Sequence, residues 1–172
     1  MRGRPAVKAT LALSLLAVLL AALLGGRSLG LSLVTVLVRA EYPAVRWLTP
    51  TELAGERPGP LLLDVREERE FAVSHLAGAR RLEPGAPIPL DVLALPRDTL
   101  IVAYCAVGRR SAQAVKTLQA AGFTNVRNLD GAIFRWANEG RPLVNDGGPT
   151  VSVHPYSWLW GALLPAAHRA RP

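Results

Sequence analysis

The sequence has little cysteine and no cluster of other metal-binding side chains. Cys105 is the single cysteine among 172 residues. No internal disulfide can therefore form, and no cysteine-rich metal site can be assembled. The histidines and carboxylates are not grouped in a pattern typical of metal ligands. We therefore expect no metal and no other cofactor, and Cys105 is either a buried packing residue or a reactive group.

The central part of the chain also lacks an excess of charge of either sign. The formal net charge is +7, but residues 47–150 contain twelve Lys or Arg and twelve Asp or Glu. The flanks hold eight basic residues and one acid, so the whole surplus lies there. A nucleic-acid surface requires basic residues gathered on the folded domain, with aromatic side chains between them. Nucleic acid is therefore not an expected partner.

The N-terminal region carries a long apolar run behind three basic residues. The uncharged run Ala9–Gly26 has eighteen residues, which as a helix span about 27 Å, close to the thickness of a bilayer. We interpret residues 1–40 as a membrane anchor or signal region, with the membrane as a partner. An uncleaved transmembrane helix is favoured, because the small-residue cleavage site of a secretory signal is poorly formed.

The orientation of this anchor follows from the distribution of basic residues. Arg2, Arg4 and Lys8 precede the apolar run, which favours a domain on the extracytoplasmic side. A domain that is cleaved and secreted to the periplasm, or one that faces the cytoplasm, stays an alternative.

The pattern changes after residue 42 to that of an α/β domain, which we place at residues 45–145. Short apolar runs alternate with patches of helical periodicity, separated by Gly and Pro. Continuous apolar runs are typical of strands that are covered on both faces in a parallel sheet. The predicted strands are 61–63, 100–104 and 126–129, and the predicted helices are 67–73, 112–119 and 131–138.

Residues 150–172 form an aromatic C-terminal tail that is too short to cross a membrane. It contains Tyr156, Trp158 and Trp160. Such rings suit the headgroup level of a membrane interface. A tail that packs back on the domain is equally compatible with this pattern.

Residues 105–111 connect a predicted buried strand to a predicted helix. A short loop that leads into a helix presents several backbone N–H groups in one concavity, and the positive end of the helix dipole points into it. An anion, including the thiolate of Cys105, is favoured there. Gly108 allows the loop to turn tightly, while Arg109 and Arg110 add positive charge.

The same loop follows the pattern Cys-x-x-Gly-x-Arg-Ser, with Cys105, Gly108, Arg110 and Ser111 in its defined positions. Two further motifs flank it. The upstream motif is Asp64-Val65-Arg66, Glu70-Phe71 and His75-Leu76-Ala77-Gly78-Ala79, and the downstream motif is Gly131, Trp136, Gly140 and Pro142. On these three motifs, which cover about half of the chain, the sequence resembles the rhodanese family of sulfurtransferases.

The resemblance implies a rhodanese-like three-layer α/β fold, with a central and mostly parallel sheet flanked by helices. It also implies transfer of sulfane sulfur from thiosulfate or a related small donor to a thiol or cyanide acceptor, through a persulfide on Cys105. Arg110 is the second catalytic residue by this resemblance. The implied substrate-binding residues are Ala106, Val107, Gly108 and Ser111. Arg109 occupies a variable position of the pattern and is either a substrate-binding residue that selects the donor or a solvated surface charge. Asp64, Arg66 and His75 are interpreted as structural support.

Three other functions are compatible with a lone cysteine in such a loop. A phosphatase is disfavoured, because phosphate-hydrolysing loops have five residues between Cys and Arg, whereas residues 106–109 supply four. A non-catalytic, membrane-tethered binding module would commonly lack the nucleophile. A redox sensor has no second cysteine in this chain to resolve an oxidised intermediate.

Overall fold

A five-stranded sheet runs through residues 26–170, the part of the chain that the computed structural model describes. Its strands are β1 (Arg46–Leu48), β2 (Leu61–Asp64), β3 (Arg80–Arg81), β4 (Ile101–Tyr104) and β5 (Val126–Leu129). The spatial order is β1-β5-β4-β2-β3, and every neighbouring pair is parallel. A separate antiparallel hairpin pairs β6 (Leu143–Asn145) with β7 (Gly148–Thr150).

Helices flank the sheet, as a parallel sheet with two buried faces requires. They are α1 (residues 26–41), α2 (Pro50–Gly55), α3 (Glu68–Val73), α4 (Leu90–Leu93), α5 (Arg109–Ala120), α6 (Ala132–Asn138) and α7 (Trp158–Gly161), followed by a 3₁₀ turn at Ala166–His168. The predicted α/β fold with a central parallel sheet is therefore confirmed.

The central strand β4 illustrates why the continuous apolar runs predicted strands correctly. All four of its residues are fully buried, because it lies between β5 and β2 with helices on both faces. The next helix, α5, has the complementary pattern. Ala112, Val115 and Leu118 are buried at helical spacing, so α5 lays one face on the sheet immediately after the loop that contains Cys105.

Helix α1 corrects the interpretation of residues 28–38 as part of the membrane region. Leu31, Val34 and Val38 are buried at helical spacing, so this helix packs one face on the domain. Full burial of such side chains contributes about 1.5–3 kcal/mol each. An ion pair of 2.8 Å between Arg39 and Asp130 fixes the end of the helix.

The predicted membrane run Ala9–Gly26 lies outside the described residues, apart from its last glycine. Between residues 26 and 170, no helix combines the length and the apolar character needed to cross a bilayer.

The C-terminal tail packs back on the domain. Val153, Leu163 and Leu164 are buried, and the Asn138 side chain on α6 donates a hydrogen bond to the Leu163 carbonyl at 2.9 Å. Trp158 remains 86% exposed. The sequence left two interpretations of this tail open, a membrane interface and packing on the domain. These contacts agree with packing on the domain.

Candidate active site

Cys105 directly follows β4, at the carboxyl edge of the sheet, and its loop leads into α5. The residue is buried, with 1% of its surface exposed. Its sulfur accepts a hydrogen bond from the Gly108 N–H at 3.2 Å and another from the Ser111 hydroxyl at 3.5 Å. The sulfur therefore faces the backbone amide of its own loop and the first turn of a twelve-residue helix.

The loop takes its shape from Gly108 and from contacts with neighbouring elements. Gly108 has a φ of +104°, and a Cβ at this position would lie 3.4 Å from the Trp47 ring. The Asn128 side chain on β5 donates to the Gly108 carbonyl at 2.7 Å. This contact holds the loop from the side opposite to the cysteine, so the loop geometry is part of the fold.

The start of α6 holds the other end of the same loop. The N–H groups of Ile133 and Phe134 donate to the carbonyls of Cys105 and Ala106, each at 3.2 Å. These two hydrogen bonds fix the carbonyls of Cys105 and Ala106, so α6 also shapes the loop.

Arg110 lines the same cavity as Cys105, and its two terminal nitrogens bind a carboxylate. They donate to the two carboxylate oxygens of Glu70, at 2.7 and 2.8 Å. Glu70 lies on α3 and is fully buried. The Tyr156 ring packs on the guanidinium, with its centroid 4.9 Å away. Sequence reasoning noticed Glu70 only within a motif, and its pairing with Arg110 is a contact between residues forty positions apart.

The ion pair shifts the pKa of both partners. Burial raises the pKa of Glu70, but the hydrogen bonds and charge of Arg110 outweigh this and hold that pKa below its ordinary value of 4.5. Burial likewise lowers the pKa of Arg110, while Glu70 and the nearby Cys105 sulfur raise it, and the net pKa lies above its ordinary value. Both groups are therefore charged at neutral pH.

We expect the Glu70 carboxylate to make stability depend on acid pH. Because its folded pKa is depressed, its contribution is complete above pH 4.5 and is lost as the pH falls through the folded value. The free energy of unfolding, measured by denaturant titration from pH 7 to pH 3, should fall more steeply for the wild type than for Glu70→Gln. A constant difference between the two proteins over this range would contradict the assignment.

Arg109 lies at the rim of the site and connects it to α1. Its guanidinium donates to both carboxylate oxygens of Glu41, at 2.9 and 2.7 Å. The Arg109 side chain is 64% exposed, so this pair is a surface contact of modest strength.

Asp64 and Arg66 lie beneath the site as a fully buried ion pair. The Arg66 guanidinium donates to both oxygens of Asp64, with a shortest distance of 2.6 Å, and both side chains are 0% exposed. His75 stacks on the Phe71 ring at 3.9 Å. Structural support stays a prediction for these three residues.

A cavity of about 210 Å³ opens over Cys105. The loop residues 105–107 form its floor, with Arg109 and Arg110 at the side. The rest of the lining comes from Val34 and Val38 of α1 and from Tyr156 and Trp160 of the tail. The sequence did not predict these four lining residues, because nothing in the local pattern of either terminal segment indicates that it packs beside the cysteine.

A second cavity of about 360 Å³ lies on the far side of the two arginines, between α5 and the loop around Pro84. Within residues 26–170, no three His, Cys, Asp or Glu side chains are grouped so that they could hold a metal ion.

Comparison with known proteins agrees with this geometry. The model of the family described as rhodanese-like domain matches residues 49–139. A sulfurtransferase of Allochromatium vinosum is 39% identical over 88 residues, which cover 51% of this chain and 81% of that protein. The probable adenylyltransferase/sulfurtransferase MoeZ of Mycobacterium tuberculosis is 37% identical over 82 residues, which cover 47% of this chain and 21% of that protein.

Among solved structures, the polysulfide-sulfur transferase homodimer of Wolinella succinogenes is similar, with a TM-score of 0.50 and 27% identity. The match covers 64% of this chain and 85% of that chain. Helix α1 and the tail after residue 150 lie outside the residues that the family model matches.

Proposed function

Because the chain belongs to the rhodanese-like domain family, we propose that it transfers sulfane sulfur through a persulfide on Cys105. The donor is thiosulfate or a related sulfur compound, and the acceptor is a thiol or cyanide. One observation carries this proposal: the Cys105 sulfur lies 3.2 Å from the Gly108 amide, at the start of α5 and beneath an open cavity. A nucleophile held by a main-chain donor at the start of a helix suits a reaction in which negative charge stays on sulfur throughout.

The proposed reaction has two steps. The Cys105 thiolate attacks the outer sulfur of thiosulfate, the S–S bond of the donor breaks, and its electron pair leaves with sulfite. The acceptor then attacks the outer sulfur of the persulfide, and the electron pair of that bond returns to Cys105 as the thiolate. Backbone amides hold the anionic sulfur in each state without having to move, which is the advantage of preorganised donors.

The arginines have different roles in this proposal. Arg110 is held by Glu70 and packs beside the cavity, so it is a positioning residue that also keeps positive charge near the reacting sulfur. Arg109 is free to leave Glu41 when a donor enters, because that pair is exposed and contributes at most about 1 kcal/mol. The Ser111 hydroxyl adds a second donor to the sulfur.

A turnover assay tests the proposal directly. The full-length protein is incubated with thiosulfate and cyanide, and formation of thiocyanate and sulfite is followed over time. We expect both products in equal amounts, with double-displacement kinetics in which each substrate reacts with a different form of the enzyme. Absence of both products with thiosulfate and also with organic sulfane donors would contradict the proposal and would favour a binding module.

A further inference from the structure

We propose that α1 and the C-terminal tail make this site selective for sulfane donors with an apolar body, namely organic thiosulfonates, R–SO₂–S⁻, over inorganic thiosulfate. This inference rests on the proposed sulfur transfer at Cys105 and names its donor class.

The first support is the apolar side of the cavity. Val34, Val38, Tyr156 and Trp160 line a space of about 210 Å³ together with the loop of Cys105. A dry cavity of about 150 Å³ is enough to hold benzene. The site therefore has room for a small ring or alkyl group above the cysteine. All four residues lie outside the matched residues 49–139, so this wall is an addition to the part that the family model describes.

The second support is the charge at the site. Arg110 is bound to the buried Glu70 and Arg109 to Glu41. Among the described residues that line the cavity, these are the two cations. The buried Glu70 offsets the charge of Arg110, which leaves the exposed Arg109 and the Gly108 amide to attract an anion. A thiosulfonate carries one negative charge and an apolar group, whereas thiosulfate brings two charges and no apolar surface to bury.

The third support is that both parts of the wall are fixed to the domain. The Arg39–Asp130 ion pair, at 2.8 Å, holds α1 one residue beyond Val38. The tail is held by the Asn138 side chain on α6, which donates to the Leu163 carbonyl at 2.9 Å, and by the buried Leu163 and Leu164. The apolar wall is therefore already in place before a donor binds, which lowers the entropic cost of binding.

The chemistry requires no further reactant. The Cys105 thiolate attacks the terminal sulfur of the thiosulfonate, and the bond between this sulfur and the sulfonyl sulfur breaks. Its electron pair leaves with the sulfinate, R–SO₂⁻. One persulfide anion and one sulfinate anion are formed from one thiolate and one thiosulfonate anion, so atoms and charge balance.

The test compares three donors on the full-length protein: benzenethiosulfonate, methanethiosulfonate and thiosulfate. Intact mass spectrometry follows the gain of one sulfur atom with time, and a small thiol in solution provides the intrinsic reactivity of each donor. For each thiol, the benzene-to-methane ratio is the rate constant with benzenethiosulfonate divided by the rate constant with methanethiosulfonate. This ratio should be about tenfold or more larger for the protein than for the free thiol, which is the usual size of discrimination in an apolar pocket. Thiosulfate should load more slowly than both thiosulfonates after the same correction.

Two tryptophans on α7 provide a matched pair of variants. Trp160 lines the cavity, whereas Trp158 is 86% exposed. Trp160→Ala should lower the benzene-to-methane ratio by about fivefold or more, because it removes apolar contact with the ring. Trp158→Ala should leave the ratio unchanged. Tyr156→Gly is a second variant that keeps the fold, since Tyr156 is half-exposed and has a φ of +63° that glycine adopts readily, and it should also lower the ratio.

The failure of this inference differs from a failure of the proposed function. A wild-type ratio equal to that of the free thiol, or a ratio that survives in both Trp160→Ala and Tyr156→Gly, would overturn the donor preference while sulfur transfer stands. Loading by none of the three donors would contradict sulfur transfer itself.

Discussion

Replacement of Cys105 by serine is expected to lower the rate of thiocyanate formation by at least about a thousandfold, the scale on which loss of a nucleophile acts. A serine oxygen does not carry sulfane sulfur as a persulfide, so the first step of the reaction has no product. The fold should remain, because serine is similar in size and its hydroxyl can accept the Gly108 N–H that now binds the sulfur. The measurement is the turnover assay with thiosulfate and cyanide, together with the thermal unfolding midpoint of both proteins.

The sequence itself provides the control for this variant. Cys105 is the single cysteine of the chain, so no second thiol of the same protein can replace it. Turnover in a folded Cys105→Ser protein at a rate near that of the wild type would assign the chemistry to another group and would contradict the mechanism.

The largest expected effect on stability is that of Asp64→Asn. Arg66 is fully buried, and both oxygens of Asp64 bind its guanidinium. Removal of one partner of such a pair leaves a buried charge without compensation, which costs about 3–5 kcal/mol. The free energy of unfolding from denaturant titration at neutral pH should fall by this amount. Since Asp64 pairs in the sheet with Tyr104, the residue before Cys105, the remaining folded protein should also lose turnover.

An exposed aspartate provides the matched control for that substitution. Asp91 pairs with Arg80 at the surface, where the two side chains are 62% and 47% exposed. The same change at Asp91 should leave the free energy of unfolding close to that of the wild type. An equal loss in the free energy of unfolding for Asp64→Asn and Asp91→Asn would show that burial does not make the Asp64–Arg66 pair more important for stability than a surface pair.

The parts of the fold that could be predicted from the sequence are those with long local patterns. The apolar run that ends at Tyr104 predicted β4, and the spacing of Ala112, Val115 and Leu118 predicted α5. Strand β1 has three residues and β3 has two. Segments this short have no periodicity of their own, and their pairing in the sheet defines them.

The limits of the sequence are clearest at α1. Its apolar residues follow a longer apolar run, so the two were interpreted together as a membrane region. The burial of Leu31, Val34 and Val38 at helical spacing separates α1 from that run. Which apolar residues of α1 are buried depends on the domain surface on which the helix packs, and the sequence of the helix does not contain that information.

The candidate site was predicted in part. The loop pattern placed the Cys105 sulfur among backbone amides at the start of α5, and the structure has the Gly108 amide 3.2 Å from it. The sequence did not indicate that Glu70 binds both terminal nitrogens of Arg110, nor that Trp160 reaches the cavity. Such contacts join distant parts of the chain and depend on how the layers pack.

The central claim is that Cys105 carries sulfur, and the mass of the protein after incubation with a sulfane donor tests it most directly. The full-length chain, treated with thiosulfate or benzenethiosulfonate and freed of excess donor, should gain the mass of one sulfur atom. Peptide mapping should place this atom on the peptide that contains Cys105, and cyanide should remove it as thiocyanate. An unchanged mass of that peptide with both donors, in protein whose fold has been verified, would contradict the account.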